Sequence, residues 1–415
     1  MSSVTSGQIS SSDEKDFSGE IFNSQYLILY KIGEGSFSSV WLSYNLKNKK
    51  FYAIKVQNGD DFESGEIEVD ILKKLKKLPA NQNKNFQLLV DQFTEIYDDE
   101  DHICMVSELM AGSLYDIMKS KDYKKGYPLE FCLKTIKTLL LAMKSLNKLG
   151  YIHTDIKPNN ILLKGTNLHV SKIINEFKKM INKKNKKKIN YEKIVSDLND
   201  KFLSVDSDSS STSSFSYYSE FSFSEKSDFS ERTINNDYDV LSEDIKNGIV
   251  KLTDFGTCIT NKKRQGSEIQ TRYYRSPEII LESPHDDKCD IWSVGCTLYE
   301  LLTGEILFDP EKSRSLNRDR NHLYMIISQL GLIPNNMIKN GKRSKNFFRV
   351  NGTLKGVTSI FKNPLKDKLF KKFQENSISD TMSLKLVQFI IDTLEIDPFK
   401  RPTIEKLLDD PLFIA

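Results

Sequence analysis

A short run of residues, 153–163, restricts what this chain can fold into more than any other stretch. It reads His-Thr-Asp-Ile-Lys-Pro-Asn-Asn-Ile-Leu-Leu. Transfer of a phosphoryl group requires an acidic group that receives the proton of the acceptor hydroxyl, a cation beside the phosphate and an oxygen ligand for Mg²⁺. Asp155, Lys157 and Asn160 provide these groups in one loop, and the apolar residues that follow predict a short strand. An ordinary turn containing Asp and Asn would explain the run taken alone, so further motifs are needed.

The N-terminal part of the chain predicts three strands with a glycine-rich turn between the first two. Residues 26–56 are rich in β-branched and aromatic residues and contain the pattern Gly-x-Gly-x-x-Ser-x-Val. Gly33 and Gly35 let the backbone close over phosphate groups, although Ser38 replaces the third glycine that such loops usually carry. A plain hairpin explains this pattern equally well. The following Ala-Ile-Lys, which ends at Lys55, strengthens the nucleotide interpretation because its lysine is suited to bind the α- and β-phosphates.

A helix with one apolar face is predicted over residues 66–78. Ile71, Leu72, Leu75 and Leu78 fall on one helical face, and Glu68 lies one turn before Ile71 and Leu72. We therefore predict that Glu68 points toward Lys55 and forms an ion pair with it, with Glu66 as the alternative partner. Either glutamate would, without this context, be an ordinary solvated residue of the helix surface.

Residues 102–110 predict a strand that runs into a connection between two lobes. Backbone groups from Glu108 to Met110 are predicted to hydrogen-bond to adenine. Ser107 would then line the back of the adenine pocket; the alternative is that it faces the interior of the lobe and hydrogen-bonds to the backbone. Residues 131–149 predict an amphipathic helix that leads to the 153–163 run.

Residues 165–247 interrupt this alternation of strands and helices. Their first part contains a run of lysines, and their second part is dominated by Ser, Asp, Glu and Phe, a composition that forms no packed core unaided. We interpret this stretch as a long, low-complexity, disordered insert, with a short helix predicted only over residues 171–177. Residues 1–20, rich in Ser, Asp and Glu, are interpreted as a disordered tail. The folded chain is therefore predicted to comprise residues 21–164 and 248–415.

Recognisable motifs resume after the insert. Asp254 follows a predicted strand and opens the tripeptide Asp-Phe-Gly, whose aspartate is suited to bind Mg²⁺. Residues 269–278 end in Ser-Pro-Glu, and Glu278 can pair with Arg401 near the C-terminus. Because that pair would join distant parts of the chain, we interpret it as structural.

Taken together, these motifs resemble those of the eukaryotic protein kinases, and within them the CMGC group. The nearest resemblance is to the SR-protein kinase family, carried by residues 153–158, by Ile-Gln-Thr-Arg at 269–272 and by the long insert. It implies an α+β, bilobal fold with a small β-rich N-terminal lobe and a larger helical C-terminal lobe. It also implies a serine/threonine kinase that transfers the γ-phosphate of ATP, with Mg²⁺, to Arg/Ser-rich splicing factors and so regulates mRNA processing.

The resemblance also implies roles for individual residues. Asp155 and Lys157 would act in catalysis, and Asn160 and Asp254 would bind Mg²⁺. Thr154 stands where most kinases carry an arginine. ATP is expected to contact the following residues: Ile32, Gly33, Gly35, Val40, Ala53, Lys55, Glu68, Glu108, Met110 and Leu162.

SR-protein kinases carry acidic residues in a groove that docks Arg-rich segments. Glu305 fits one such position, but Asn321 and Ser328 stand at two others, which leaves this docking open. Two other functions also stay open. LAMMER-type dual-specificity kinases share His-Thr-Asp, and residues 321–331 resemble their namesake motif. A catalytically silent scaffold would keep the fold without turnover, although the residues required for catalysis are all present.

The composition sets the remaining expectations. The chain has 415 residues, with 60 basic and 57 acidic side chains and a net charge of +3, which argues against direct nucleic-acid binding. Its five cysteines show no paired metal spacing and predict reduced thiols in a cytoplasmic and nuclear protein. No apolar stretch approaches the length of a membrane span. We expect a monomer whose partners are protein substrates.

Overall fold

The fold is seen in a computed structural model of the chain. It describes the following residues: 15–35, 38–57, 61–183, 189–207, 245, 248–260, 269–312 and 316–413. These residues form an N-terminal lobe built on one β-sheet and a C-terminal lobe built mainly from helices, which confirms the predicted α+β, bilobal arrangement. Within those ranges, no helix is both long and apolar enough to cross a membrane.

A six-stranded antiparallel sheet with strand order β1-β2-β3-β4-β6-β5 forms the N-terminal lobe. Its strands are β1 (Ile21–Phe22), β2 (Tyr26–Gly35), β3 (Ser38–Asn45), β4 (Phe51–Gln57), β5 (Leu89–Tyr97) and β6 (Glu100–Ser107). Two helices follow β4, namely α1 (Phe62–Lys76) and α2 (Ala80–Asn83). Helix α1 packs on β5 and β6 through its apolar face, where Ile71, Leu72 and Leu75 are buried as predicted.

The predicted disordered tail is wrong for its last residues. The ring of Phe17 is buried and makes edge contacts with Phe22 and Trp41, at centroid distances of 5.3 and 5.5 Å. Residues 1–14 lie outside the described residues. The buried ring helps to attach this polar segment to the sheet, and the average composition of residues 1–20 concealed it.

The C-terminal lobe contains two small sheets and most of the helices. Strands β7 (Met110–Ser113), β9 (Ile161–Lys164) and β10 (Val250–Leu252) form one sheet, and β8 (Tyr151–Ile152) pairs with β11 (Ile259–Thr260) in the other. The helices are α3 (Leu114–Met118), α4 (Leu129–Lys148), α5 (Leu168–Lys183), α6 (Tyr191–Ser207), α7 (Pro277–Ile280), α8 (Lys288–Thr303), α9 (Arg318–Leu330), α10 (Asn335–Asn340), α11 (Ser344–Phe347), α12 (Leu365–Glu375), α13 (Asp380–Thr393) and α14 (Ile404–Leu408).

Helix α8 forms the centre of this lobe. Every one of its residues after Lys288 is buried, as expected of a helix that is apolar on all sides. It packs against α4 and α13. The polar residues that it does contain, such as Asp290 and Glu300, are therefore placed among buried neighbours, where each requires a hydrogen-bond partner.

The prediction of one disordered insert over 165–247 is wrong for its first half. Helices α5 and α6 pack on each other, and α6 also contacts β2 of the N-terminal sheet. The predicted helix at 171–177 is present within α5, with Ile173 and Phe177 fully buried. Apolar residues at helical spacing supplied one face, and the N-terminal lobe supplied the partner surface that composition does not reveal. The rest of the predicted insert, apart from Ile245, lies largely outside the described residues.

Candidate active site

Three charged side chains, two from the N-terminal lobe and one from the segment after β10, meet between the lobes. Lys55 Nζ on β4 lies 2.7 Å from Glu68 Oε2 on α1 and 3.1 Å from Asp254 Oδ1. The ion pair therefore forms with Glu68, as predicted, whereas Glu66 is exposed on the outer face of the helix. Burial raises the pKa of the Glu68 carboxyl, and the positive charge of Lys55 opposes this effect.

The run that opened the sequence analysis forms a loop in which both oxygens of Asp155 accept hydrogen bonds. Oδ1 accepts from the hydroxyl of Thr271 at 2.7 Å, and Oδ2 lies 2.8 Å from Lys157 Nζ and 2.9 Å from Asn160 Nδ2. Burial alone would raise the pKa of the Asp155 carboxyl, but Lys157 and Thr271 together hold it below its usual value. The side chain is therefore an anion held in one orientation.

Helix α8 holds the start of the 153–163 loop through the side chain of Asp290. The carboxylate of Asp290 accepts hydrogen bonds from the backbone N–H groups of His153 and Thr154, both at 2.9 Å. Burial raises the pKa of Asp290 to about 7, although these hydrogen bonds act in the opposite direction. Thr154 and Asp254 both have left-handed backbone conformations, with φ of 68° and 64°. Such conformations cost energy outside glycine and persist only where the surroundings impose them.

The predicted nucleotide-binding residues of the two lobes are brought together. Gly33 and Gly35 lie on β2 and pair with Val40 and Ser38 of β3. The tip of this hairpin lies outside the described residues. One buried apolar cluster contains the following residues that were predicted to contact ATP: Ile32, Val40, Ala53, Met110 and Leu162. These side chains form an apolar surface of the kind that receives a flat aromatic base.

The connection between the lobes follows the predicted course. Glu108 lies between β6 and β7, where its carboxylate forms an ion pair with Lys251 of β10. Ser107 ends β6 and lines a cavity together with Lys55, Glu68 and Met105. This position is compatible with the first interpretation of Ser107, which stays a prediction because it concerns bound adenine. Its hydroxyl oxygen accepts a hydrogen bond from the side chain of Gln87, not from the backbone.

Sequence reasoning missed two residues that organise the site. Gln87 lies in a loop with no apolar period, so no pattern singled it out. Gln270 belongs to the Ile-Gln-Thr-Arg motif but was given no role of its own. Its side chain donates to the carbonyl of Cys289 and the hydroxyl of Ser293, both at 2.9 Å, and its backbone carbonyl accepts from the guanidinium of Arg275. These contacts hold the end of the 269–278 segment.

The donor set of the site fits Mg²⁺. This ion prefers oxygen ligands and is usually bound by one or two carboxylates together with phosphate oxygens and waters. Asp254 supplies a carboxylate and Asn160 an amide oxygen, and the backbone carbonyl of Asn160 accepts from the N–H of Thr253, next to Asp254. Within the part of the chain that the structure describes, no group of three or more His, Cys, Asp or Glu residues forms a complete metal cage. A phosphate-bearing nucleotide would supply the missing ligands.

Fold and site together define a class of protein: a two-lobed enzyme that binds a nucleotide between its lobes. The sequence matches the protein kinase domain family over residues 26–199 and 239–413, and the chain belongs to that family. The matched regions include α5 and about half of α6, in agreement with their packing on the N-terminal lobe.

Several serine/threonine kinases are similar along most of their length. A putative serine/threonine-protein kinase, L205, from Acanthamoeba polyphaga mimivirus is 30% identical, with 96% of this chain and 89% of that protein aligned. The serine/threonine-protein kinase SRPK of Physarum polycephalum is 31% identical over 95% of this chain and 87% of its own length. Protein kinase dsk1 of Schizosaccharomyces pombe is 27% identical, with coverages of 94% and 81%. The protein is accordingly a serine/threonine kinase of the CMGC group, of the SRPK type.

Proposed function

We propose that this kinase uses Mg-ATP and that each site residue acts as its position indicates. Asp155 receives the proton of the acceptor hydroxyl, and Lys157 stabilises the phosphate that is transferred. Lys55, oriented by Glu68, binds the α- and β-phosphates, and Asp254 binds the metal ion together with Asn160. The observation that carries this proposal is the contact of Lys55 with both Glu68 and Asp254, because it unites the two lobes in one arrangement.

The finer proposal concerns the substrate: serines of Arg/Ser-rich proteins that act in mRNA processing. It is supported by the resemblance to SR-protein kinases. The positions that correspond to that family's docking groove are only partly acidic in this chain. Glu305 lies 2.6 Å from Lys372, and Asn321 and Ser328 donate hydrogen bonds to backbone carbonyls of Glu311 and Phe361. We therefore propose that such substrates are recognised at the site of transfer more than by long-range docking of an Arg-rich segment.

Phosphate transfer to peptides tests both levels of this proposal. The purified chain is incubated with ATP and Mg²⁺, and with Arg/Ser peptides of increasing length beside peptides in which Arg is replaced by Gln. Transfer to the short Arg/Ser peptide, with little gain from added length, is expected. A large gain with length would contradict the weak docking, preference for the Gln peptides would contradict the substrate class, and absence of any turnover would favour a silent scaffold.

A LAMMER-type dual-specificity kinase is the second candidate. The motif at residues 321–331 lies on α9 and its C-terminal end, and a probable dual specificity kinase, madd-3, of Caenorhabditis elegans is 27% identical over 99% of this chain but 38% of its own length. Phosphotyrosine on the chain after incubation with ATP would favour this alternative. We also propose that the protein is a monomer of the cytoplasm and nucleus, which size-exclusion chromatography and imaging of the tagged chain would test.

A further inference from the structure

Gln87 occupies a buried position between the two lobes, and its side-chain amide forms one hydrogen bond to a residue of each lobe. Its amide nitrogen donates to the hydroxyl of Ser107 at 2.9 Å, and its amide oxygen accepts from the hydroxyl of Thr253 at 2.7 Å. Gln87 is 6% exposed and Thr253 is 4% exposed. The side chain thus connects the end of β6 in the N-terminal sheet to the residue that directly precedes Asp254.

Thr253 is held at each of its polar groups. Its N–H donates to the carbonyl of Asn160 at 3.1 Å, and its carbonyl lies 3.0 Å from a ring nitrogen of His153. Its hydroxyl is directed to Gln87. The backbone N–H of Gln87 also donates to the carbonyl of Leu252, at 3.0 Å. The two residues before Asp254 are therefore fixed to the catalytic loop on one side and to Gln87 on the other.

These contacts have a consequence for the metal-binding carboxylate. Asp254 adopts φ of 64°, a conformation that a non-glycine residue keeps only when its neighbours impose it. Its carboxylate also lies 3.1 Å from Lys55, which is carried by the N-terminal sheet. In that sheet, Ser107 pairs with Ala53, two residues before Lys55 on β4. Gln87 therefore joins the strand next to Lys55 to the residue next to Asp254.

We propose that Gln87 is a positioning residue that sets Asp254 for metal binding, a role that rests on the proposed function. It acts through the hydroxyl of Thr253 and, at its other end, through Ser107. A buried glutamine must satisfy both halves of its amide, so a purely structural role would give the same contacts. The two roles differ in what they change: a structural role affects thermal stability, whereas a positioning role also affects the requirement for Mg²⁺.

The test uses the full-length chain with saturating ATP and a peptide substrate, and measures the Mg²⁺ concentration that gives half the maximal rate. Gln87→Met keeps the length of the side chain and removes both hydrogen bonds; Thr253→Val removes one of them from the other end. Each should raise the Mg²⁺ requirement about two- to tenfold, the range expected for one buried hydrogen bond. The double variant should require no more Mg²⁺ than Gln87→Met alone, because both changes break the same contact. Thr253→Ser keeps the hydroxyl and should behave as the wild type, as should Gln92→Met on the exposed face of β5.

Several outcomes would overturn the inference. An unchanged Mg²⁺ requirement in folded Gln87→Met, or additive effects in the double variant, would show that Gln87 does not act through Thr253 on the metal site. If Gln87→Met fails to fold, the comparison of Thr253→Val with Thr253→Ser decides, and equal Mg²⁺ requirements would reject the proposal. A wild-type chain without phosphotransfer would contradict the proposed function itself, which separates that failure from failure of this inference.

Discussion

At the scale of single residues, Asp155 is the group on which the proposed phosphate transfer depends most. Its two oxygens accept hydrogen bonds from Thr271 and Asn160, whereas Lys55 and Glu68, the residues proposed to hold the nucleotide, pair with each other. Asp155→Asn should therefore reduce turnover by at least about 100-fold, the range of general acid–base catalysis, while ATP affinity changes little. Peptide phosphorylation and binding of a fluorescent nucleotide measure the two effects. Activity within a few-fold of the wild type would remove Asp155 from its proposed role.

Ser107 lines a cavity beside Lys55 and Glu68, which we predict to lie behind bound adenine. An ATP-competitive compound with a bulky apolar group at this edge should enter the cavity, and burial of on the order of 100 Å² stabilises the complex by roughly 2–3 kcal/mol. The hydrogen-bonded side chains of Ser107 and Gln87 line part of this cavity. Because those groups are polar, we expect the gain in binding free energy to lie near the lower value. Ser107→Phe should remove the gain by filling the space, with a much smaller effect on ATP affinity.

Inhibition curves for the bulky compound and for its parent without the added group measure this effect in both proteins. The parent compound is the matched control, since it does not reach the cavity and should inhibit both equally. Equal sensitivity of wild type and Ser107→Phe to the bulky compound would mean that the compound does not use the cavity lined by Ser107.

At the scale of elements, the two described ends of the segment from Thr257 to Thr271 are hydrogen-bonded to residues of the 153–163 loop. The hydroxyl of Thr154 donates to the carbonyl of Thr257 at 2.8 Å, and Thr271 is hydrogen-bonded to Asp155. Threonine cannot form the bidentate charge pair by which an arginine reads a phosphate. The kinase should therefore keep its rate after phosphatase treatment, as measured by initial rates with a peptide. A large loss that maps to a phosphosite between Thr257 and Thr271 would contradict this expectation.

The first half of the insert and the rest of it should behave differently when deleted. Deletion of residues 208–244 should leave turnover intact, because most of this stretch also lies outside the regions that match the kinase family. Deletion of 166–247 removes α5 and α6 and exposes the apolar cluster that they share with Ile32 and Leu162. We expect the melting temperature to fall by more than about 5 °C, since each kcal/mol corresponds to roughly 2–4 °C in a large domain.

Single substitutions localise this effect. Phe177→Ala removes a fully buried ring and should cost about 3–5 kcal/mol, whereas Lys172→Ala on the exposed face of the same helix should cost almost nothing. Thermal unfolding monitored by fluorescence compares the two variants. Equal melting temperatures for Phe177→Ala and the wild type would mean that α5 does not stabilise the N-terminal lobe.

At the scale of the whole molecule, one buried ion pair joins the end of the 269–278 segment to the C-terminal part of the chain. Arg401 donates to both oxygens of Glu278, at 2.7 and 3.1 Å, and both side chains are 0% exposed. Removal of one partner leaves an unpaired buried charge, so Arg401→Ala should lower the free energy of unfolding by about 3–5 kcal/mol.

Denaturant unfolding measures this cost, with Lys144→Ala as the control. Lys144 pairs with Glu405 at 3.3 Å on the surface, where 32% and 59% of the side chains are exposed, and such pairs contribute about 0–1 kcal/mol. The double variant Glu278→Gln/Arg401→Met should be less destabilised than Arg401→Ala, because it leaves no buried charge. If Arg401→Ala costs no more than Lys144→Ala, the pair does not hold the lobe together.

The sequence by itself determined the order of the motifs and the identity of the charged groups. Lys55, Glu68, Asp155 and Asp254 were predictable because phosphate transfer accepts few residue types, and those residues stand next to strands and helices with a clear period. Strands β2–β4 and helices α1 and α4 were predictable for the same reason. Their apolar residues recur at a spacing that places them on one buried face in only one type of secondary structure, either a strand or a helix.

Only the tertiary structure decided which surfaces those elements meet. Composition alone indicated that 165–247 and the first twenty residues lack a core. In the structure, α5 and α6 share one apolar cluster with residues of the N-terminal sheet, and Phe17 belongs to a second cluster of that sheet. Gln87 has no local signal at all. Its proposed role depends on the hydroxyls of Ser107 and Thr253. These two groups come within hydrogen-bond distance of the Gln87 side chain only when both lobes are folded. Short-range patterns report what a segment buries, whereas contacts between segments depend on the complete fold.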